Sequence, residues 1–106
     1  MSRDKNREEL VKFIDSKAFD SILKASPERF SKQDREKFEY VKKKTENEKK
    51  KFHDDYTTAR DVKDNYLDNV RSDAAGKINK DLEHLGLPTL PRLKDEFMAL
   101  CGKLGI

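Results

Sequence analysis

The side chains that most often carry out chemistry in proteins are few in this chain: two histidines, His53 and His84, and one cysteine, Cys101. Neither histidine has a second His or Cys three or four residues away, the spacing with which a helix presents paired zinc ligands. His84 lies just before Gly86 and suits the negative end of a helix, while a helix end near Cys101 disfavours the reactive thiolate. These residues therefore predict no catalytic site, no metal site and no cofactor.

Acidic residues are numerous, and three of them share one side of a predicted helix: Asp61, Asp64 and Asp68. A di-metal site in a helical bundle commonly uses a Glu-x-x-His element, and no such element occurs in the sequence. The four glycines cannot be arranged as the phosphate-binding patterns G-x-x-x-x-G-K-S/T or G-x-G-x-x-G. We therefore expect that the protein is not an enzyme, and no motif indicates a small-molecule substrate.

Basic side chains form two blocks within residues 42–51, the lysine segment, which contains no apolar residue. The blocks define a candidate basic patch: Lys42, Lys43, Lys44, Lys49, Lys50 and Lys51. Such a patch could contact the phosphates of a nucleic acid, although Glu46 and Glu48 separate the blocks and no aromatic side chain interleaves with them. Nucleic-acid binding is therefore the alternative function, and a solvated helix face is the simpler interpretation.

Apolar side chains recur every three or four residues in two segments that are candidates for contact with a partner. One extends from Phe52 through Val70 and the other from Leu90 to Leu104. A helix cannot bury such a stripe by itself, so each must pack on other helices or on another protein. The residues predicted to form an interaction surface are Tyr56, Tyr66, Val70, Leu93, Phe97 and Leu100. They favour a small non-catalytic protein that acts through protein–protein contacts, as an adaptor, a regulator or an oligomer subunit.

Charge is distributed unevenly along the chain, although the net charge is only +3. Residues 26–52 carry ten basic and six acidic side chains, whereas residues 53–75 carry three basic and six acidic ones. Antiparallel self-association would place the basic segment of one copy beside the acidic segment of another and so set their orientation. A protein partner or a second copy is therefore expected.

Length and composition limit the class of protein. The 106 residues suffice for one domain, 1–106, and 42% of them are charged. The apolar runs are far shorter than the ~20 residues that a membrane-spanning helix needs, so no span is expected. A single cysteine excludes an internal disulfide and fits a reducing compartment, which predicts a cytoplasmic protein.

Helical periodicity predicts an all-α fold of three to five helices, a small antiparallel bundle built around a long helical hairpin. The predicted helices cover residues 6–25, 31–50, 55–85 and 90–102. Ser31, followed by an aspartate three residues later, predicts a capped helix start. The sequence Leu85-Gly86-Leu87-Pro88 is typical of a Schellman helix ending.

Residues 28–75 contain neither glycine nor proline, so other signals must place a turn within them. Thr45, with a glutamate three residues later, resembles a capping box. Asp54, Asp55, Thr57 and Thr58 could each cap a later helix start. Together they predict a hairpin turn between residues 44 and 58. The alternative is one rod-like helix through residues 32–75. In either case the lysine segment is expected to project into water, because it has no side chain to bury.

Overall fold

The computed structural model describes residues 5–106, except for the side chains of residues 73 and 74. The described chain forms five helices and contains no β-strand, which confirms the predicted all-α bundle. Helix α1 covers residues 5–23 and has three consecutive parts: the α-helical Lys5–Ile14, the π-helical Asp15–Phe19 and the α-helical Asp20–Leu23. The other four helices are α2 (Lys32–Asp54), α3 (Ala59–Arg71), α4 (Asp73–His84) and α5 (Lys94–Leu104). Single 3₁₀ turns, Pro27–Arg29 and Pro91–Leu93, precede α2 and α5. The first four residues of the predicted domain 1–106 lie outside the described residues.

Helix α2 begins where the sequence predicts and then continues without interruption. The Ser31 hydroxyl accepts a hydrogen bond from the Asp34 backbone N–H at 3.2 Å, which confirms the predicted cap. The predicted helix start at Thr45 is wrong, because Thr45 lies in the interior of α2. The residues before and after Thr45 are helical, so the backbone N–H groups there already have partners within the helix and need no hydroxyl as a cap.

The turn between α2 and α3 lies at residues 55–58, inside the predicted interval. The Thr58 hydroxyl accepts a hydrogen bond from the Asp61 backbone N–H at 3.1 Å and so caps α3. Thr58 itself adopts an extended conformation, which interrupts the helix. The alternative of one rod through residues 32–75 is therefore wrong.

A second interruption, at Ser72, divides the predicted helix 55–85 into α3 and α4. Ser72 is extended, with φ −68° and ψ 128°, and its carbonyl accepts a hydrogen bond from the Ala75 N–H at 3.2 Å at the start of α4. The break gives the two helices different neighbours: α3 packs against the first part of α1, and α4 packs against α2. Neither glycine nor proline marks this position, so packing rather than a local turn signal decides it.

Gly86 ends α4 in the predicted Schellman geometry. Its φ is +73°, a left-handed conformation that glycine adopts without strain. The Gly86 N–H donates to the Glu83 carbonyl at 3.0 Å, and the Leu87 N–H donates to the Leu82 carbonyl at 2.8 Å. Leu82 and Leu87 are both buried, so the ending also directs the following loop into the core.

The buried apolar side chains form two clusters. The first comprises Leu10, Val11, Ile14, Ala18, Phe19, Phe52, Ala59, Val62, Tyr66, Phe97 and Cys101. The second comprises Ile22, Phe38, Val41, Leu82, Leu85 and Leu87. Helices α1 and α2 contribute residues to both clusters and therefore connect them across the space that separates them.

Candidate functional site

The inward face of α2 changes character between the two clusters. Val41, Thr45, Glu48 and Phe52 follow each other at spacings of four, three and four residues, so they share one face of the helix. Val41 packs in the second cluster and Phe52 in the first. Between them Thr45 is only 6% exposed and Glu48 is half-buried. The prediction that the lysine segment projects into water is therefore correct for its exposed positions, such as Lys43 and Lys50, but wrong for Thr45 and Glu48, which face the interval between the clusters.

A half-open cavity of about 310 Å³ occupies this interval, and we call it the central cavity. Its apolar wall includes Ala18, Phe19, Ile22, Ile78, Leu82 and Leu90, and its polar side chains are Lys44, Thr45, Glu48, Asn69, Ser72 and Asn79. The lining thus comes from α1 to α4 and from the loop before α5. A concave, mainly apolar pocket with a few converging polar groups is the usual form of a ligand site in a helical bundle. The central cavity is accordingly the candidate functional site.

Glu48 is the acidic group of the central cavity, and its contacts within the chain are long. Its Oε1 lies 3.6 Å from Lys51 Nζ, and Asn69 Nδ2 donates to its Oε2 at 3.5 Å. The same Asn69 amide donates to the Asn65 carbonyl at 3.0 Å, which is the better hydrogen bond. The Glu48 carboxylate can therefore accept a further hydrogen bond from a ligand or from water.

Tyr40, Lys44 and Lys77 form a basic rim between α2 and α4, and Lys44 is its member that lines the central cavity. Tyr40 is 40% exposed. Lys77 Nζ lies 4.5 Å and Lys44 Nζ 5.7 Å from the centre of its ring, within the range of cation–π attraction. Among the described side chains, no carboxylate lies within 4.0 Å of either ammonium group. Because Lys44 also lines the cavity, it connects the rim with the interior.

The six lysines of the predicted basic patch lie on one helix, but several of them contact other side chains of the chain. Lys49 Nζ lies 2.7 Å from Asp20 Oδ1. The other contacts join Lys51 to Glu48, Lys42 to the ring of Phe38 and Lys44 to the ring of Tyr40. Lys43 and Lys50 are exposed. Binding of phosphate groups by this patch stays a prediction.

The Lys49–Asp20 ion pair shifts the titration of both partners. The hydrogen bond from Lys49 holds the pKa of Asp20 below its ordinary value, and the same hydrogen bond raises the pKa of Lys49. Both side chains are about one-third exposed, so solvent weakens the interaction. The pair joins α1 to α2 and lies outside the lining of the central cavity.

Two residues of the predicted interaction surface are in the core. Tyr66 and Phe97 are both 0% exposed, and their rings stack with centres 3.9 Å apart and an interplanar angle of 16°. The Tyr66 hydroxyl donates to the Leu90 carbonyl, and burial raises the pKa of Tyr66. Their prediction as contact residues is corrected, because neither side chain is accessible in the folded chain.

The other four predicted contact residues, Tyr56, Val70, Leu93 and Leu100, are half-buried at the edge of the first cluster. They belong to a larger set of partly buried apolar side chains, the apolar belt: Phe13, Tyr56, Leu67, Val70, Leu90, Leu93, Met98, Leu100, Leu104 and Ile106. The second cluster has three such neighbours, Ala25, Phe30 and Ile78. Partly buried apolar side chains are thus more numerous around the first cluster than around the second, and most of them belong to α3, to α5 or to the residues next to these helices.

A polar groove of about 420 Å³ lies where α1 meets the end of α2. His53 Nε2 and Asp15 Oδ2 are joined by a hydrogen bond of 2.7 Å, and Asp20 of the Lys49–Asp20 pair also lines the groove. Lys49 and His53 are four residues apart on α2, whereas Asp15 and Asp20 are five residues apart on α1. The π-helical segment Asp15–Phe19 brings the two aspartates to one side, because its turn holds more residues than an α-turn. Sequence reasoning based on the α-helical period misses this pairing.

The remaining sequence candidates lie apart from the central cavity. Cys101 is fully buried in the first cluster, and burial raises the pKa of its thiol. Asp61, Asp64 and Asp68 are exposed on α3. In the part of the chain that the structure describes, no three His, Cys, Asp or Glu side chains are grouped as metal ligands. Within the same residues, no helix combines the length and the apolar character needed to cross a bilayer.

Comparison with known proteins yields no match: no family model, no curated protein and no solved structure is significantly similar to this chain. The functional interpretation therefore rests on the geometry described above.

Proposed function

We propose that this chain is a small non-catalytic helical protein that acts through protein–protein contacts made by the apolar belt. One observation carries the proposal: among the described residues, ten half-buried apolar side chains surround the first cluster and three surround the second. Apolar area left at a surface favours association, at roughly 25 cal/mol for each Å² removed from water. The single cysteine favours a reducing, cytoplasmic setting for this contact.

A second copy of the chain is the partner that charge favours. Asp61, Asp64 and Asp68 are exposed on α3, the helix that also carries Leu67 and Val70 of the apolar belt. Helix α3 itself carries three basic and three acidic side chains, but the longer segment 53–75 carries three basic and six acidic ones. The exposed lysines of α2 in another copy would therefore complement this segment. Surface ion pairs contribute little individually, so they would orient the two copies while the belt supplies the affinity.

Nucleic-acid binding through the lysine segment is the alternative function, and it has less support. Lys49 and Lys51 already lie beside carboxylates, and Lys42 and Lys44 lie over aromatic rings. A phosphate-binding role would give an affinity that falls steeply with salt, with a smaller slope after Lys43→Ala and Lys50→Ala. Absence of binding to duplex and single-stranded oligonucleotides at low salt would remove this alternative.

The proposed contact is tested by sedimentation equilibrium of the wild type, Leu100→Lys and Leu23→Lys. Leu100 belongs to the apolar belt, whereas Leu23 is a half-buried leucine outside it, so the two variants carry the same change at different places. We expect the wild type and Leu23→Lys to dimerise as concentration rises and Leu100→Lys to stay monomeric. Thermal unfolding of each variant confirms that it is folded.

A wild type that stays monomeric at every concentration contradicts self-association. A different protein partner is then tested in cells by a photo-crosslinking amino acid placed at position 100 or at position 23. Covalent protein adducts specific to position 100 support a contact through the belt. Their absence, or equal labelling at both positions, contradicts the proposed function.

A further inference from the structure

We propose that the central cavity binds a small amphipathic anion: a monocarboxylate with one aliphatic chain of about eight carbons, whose head group lies at the basic rim. The inference is independent of the proposed protein contact, because only Leu90 belongs to both the cavity wall and the apolar belt. It rests on three features of the described residues: the volume of the cavity, its apolar wall and the charges at its edge.

The volume and the wall set the size and the apolar character of the ligand. A volume of about 310 Å³ can hold about ten water molecules, at roughly 30 Å³ each, or a similar number of non-hydrogen ligand atoms. Phe19, Ile22 and Leu82 form part of the wall, and they offer apolar contacts to a chain rather than hydrogen bonds to water. An eight-carbon carboxylate has about this number of non-hydrogen atoms and can place its chain along the wall.

The charges at the edge select an anionic head group. Lys44 and Lys77 flank the exposed Tyr40 ring, and Lys44 also lines the cavity. Ser72, at the start of α4, lies in the lining and its side chain makes no cap hydrogen bond, so its hydroxyl can donate to a carboxylate.

The carboxylate of Glu48 also lines the cavity, and it repels an anionic head group from its end of the cavity. It is one helical turn beyond Lys44 on α2 and lies closer to Phe52 of the first cluster. A carboxylate is therefore repelled from the Glu48 end and attracted to the Lys44 end. The aliphatic chain has no charge and can pass Thr45 and the apolar wall without this repulsion.

The test compares three ligands of equal chain length, octanoate, octan-1-ol and octylammonium, by NMR titration and calorimetry below their aggregation concentrations. We expect octanoate to shift amide signals of α2 and α4 around the cavity, to bind about tenfold more tightly than octylammonium, and to raise the unfolding temperature. Tighter binding of octylammonium than of octanoate, or no binding of octanoate, would overturn the proposal.

Two charge variants locate the head group. Lys44→Glu places a negative charge at the edge of the cavity and should weaken octanoate binding by about tenfold or more. Lys43→Glu makes the same change at an exposed neighbour outside the lining and should change the affinity by less than about twofold. Equal effects of the two variants would show non-specific attraction and overturn the assignment.

A third variant, Thr45→Leu, narrows the cavity from a buried position and should weaken octanoate binding while the helical circular dichroism is retained. Unchanged octanoate affinity in a folded Thr45→Leu protein would overturn the placement of the chain. If this variant does not fold, the comparison of Lys44→Glu with Lys43→Glu, both at exposed positions, decides the proposal.

Discussion

Tyr66 combines two roles in one side chain. Its ring stacks on Phe97, and its hydroxyl donates to the Leu90 carbonyl in the wall of the central cavity. Tyr66→Phe keeps the ring and leaves that carbonyl without its donor, so we expect the free energy of unfolding in urea to fall by about 1–3 kcal/mol. Tyr40→Phe, a change at an exposed tyrosine, is the matched control and should have little effect. Equal stability of Tyr66→Phe and the wild type contradicts this role of the hydroxyl.

The Lys49–Asp20 pair makes a contribution that depends on pH. Lys49→Met should lower the free energy of unfolding by about 0.2–1 kcal/mol at neutral pH. The hydrogen bond from Lys49 lowers the pKa of Asp20 from its ordinary 3.8, so this stability is present above that value and is lost as the pH falls through the folded-state pKa.

Urea unfolding of the wild type and Lys49→Met across the acidic range measures this dependence. The difference between the two proteins should shrink as Asp20 becomes protonated. Lys50→Met removes an exposed lysine from the next position and should show neither the loss nor the pH dependence. A difference between wild type and Lys49→Met that is constant with pH contradicts the ion-pair explanation.

At the scale of helices, Arg7 of α1 holds the C-terminal end of α2. Its Nε donates to the Tyr56 carbonyl at 2.7 Å, and its Nη2 donates to the carbonyls of Phe52 and His53 at 2.9 and 2.7 Å. The last carbonyls of a helix lack partners within the helix and carry partial negative charge. Arg7→Met should therefore lower the free energy of unfolding by about 1.5–3 kcal/mol and loosen the last turn of α2.

Amide hydrogen exchange checks this prediction, with Lys12→Met, a change at an exposed lysine of the same helix, as the control. Exchange should accelerate most at residues 51–56 in Arg7→Met and should stay unchanged there in Lys12→Met. Uniform acceleration over the whole chain would instead indicate that Arg7 acts through general stability.

At the scale of the whole molecule, the division of the core predicts unequal local stability. Eleven described residues form the first cluster and six form the second, so less apolar area holds the second cluster together. Ile22→Ala truncates the contribution of α1 to the second cluster, and we expect the free energy of unfolding to fall by about 2–5 kcal/mol. Native-state hydrogen exchange should show α4 opening before α3 and α5.

Ile14→Ala is the matched change in the first cluster, since both isoleucines lie on α1 and are buried. It should reduce protection in α3 and α5 as well as in α4, because the larger cluster supports the whole bundle. The same exchange pattern in both variants would mean that the two clusters unfold as one cooperative unit.

Sequence reasoning succeeded where structure depends on neighbouring residues. The Ser31 cap and the Schellman ending at Gly86 each involve hydrogen bonds between residues at most five positions apart, so the local sequence contains all the participants. Of the four candidate caps within residues 54–58, the structure uses Thr58, a choice that the sequence left open. The break at Ser72 was missed because the alternative neighbours of α3 and α4 lie far away in the chain. The α-helical period also could not predict the pairing of Asp15 and Asp20 with α2, which requires the π-helical segment.

The sequence predicts the polar segment of α2 at the candidate site but not the cavity that this segment borders. The absence of apolar residues from the lysine segment correctly excludes it from a continuous core, but it does not distinguish a projecting tip from the wall of a cavity. That distinction depends on Ile22 and Leu82, which approach Thr45 from other helices. Likewise, helical spacing places Tyr66 and Phe97 on two separate apolar stripes but does not say whether these stripes face the core or a partner. Their mutual stacking shows that both side chains face inward.

The sequence by itself determined the all-α class, the start of α2 after Ser31, the end of α4 before Gly86 and the position of the polar interval on α2, because periodicity and capping act over a few residues. Only the tertiary structure decided that the core divides into two clusters, that the polar interval borders a cavity, and which aromatic side chains are buried. The physical reason is that burial and cavities arise from side chains far apart in the chain, and their approach depends on how all five helices pack together.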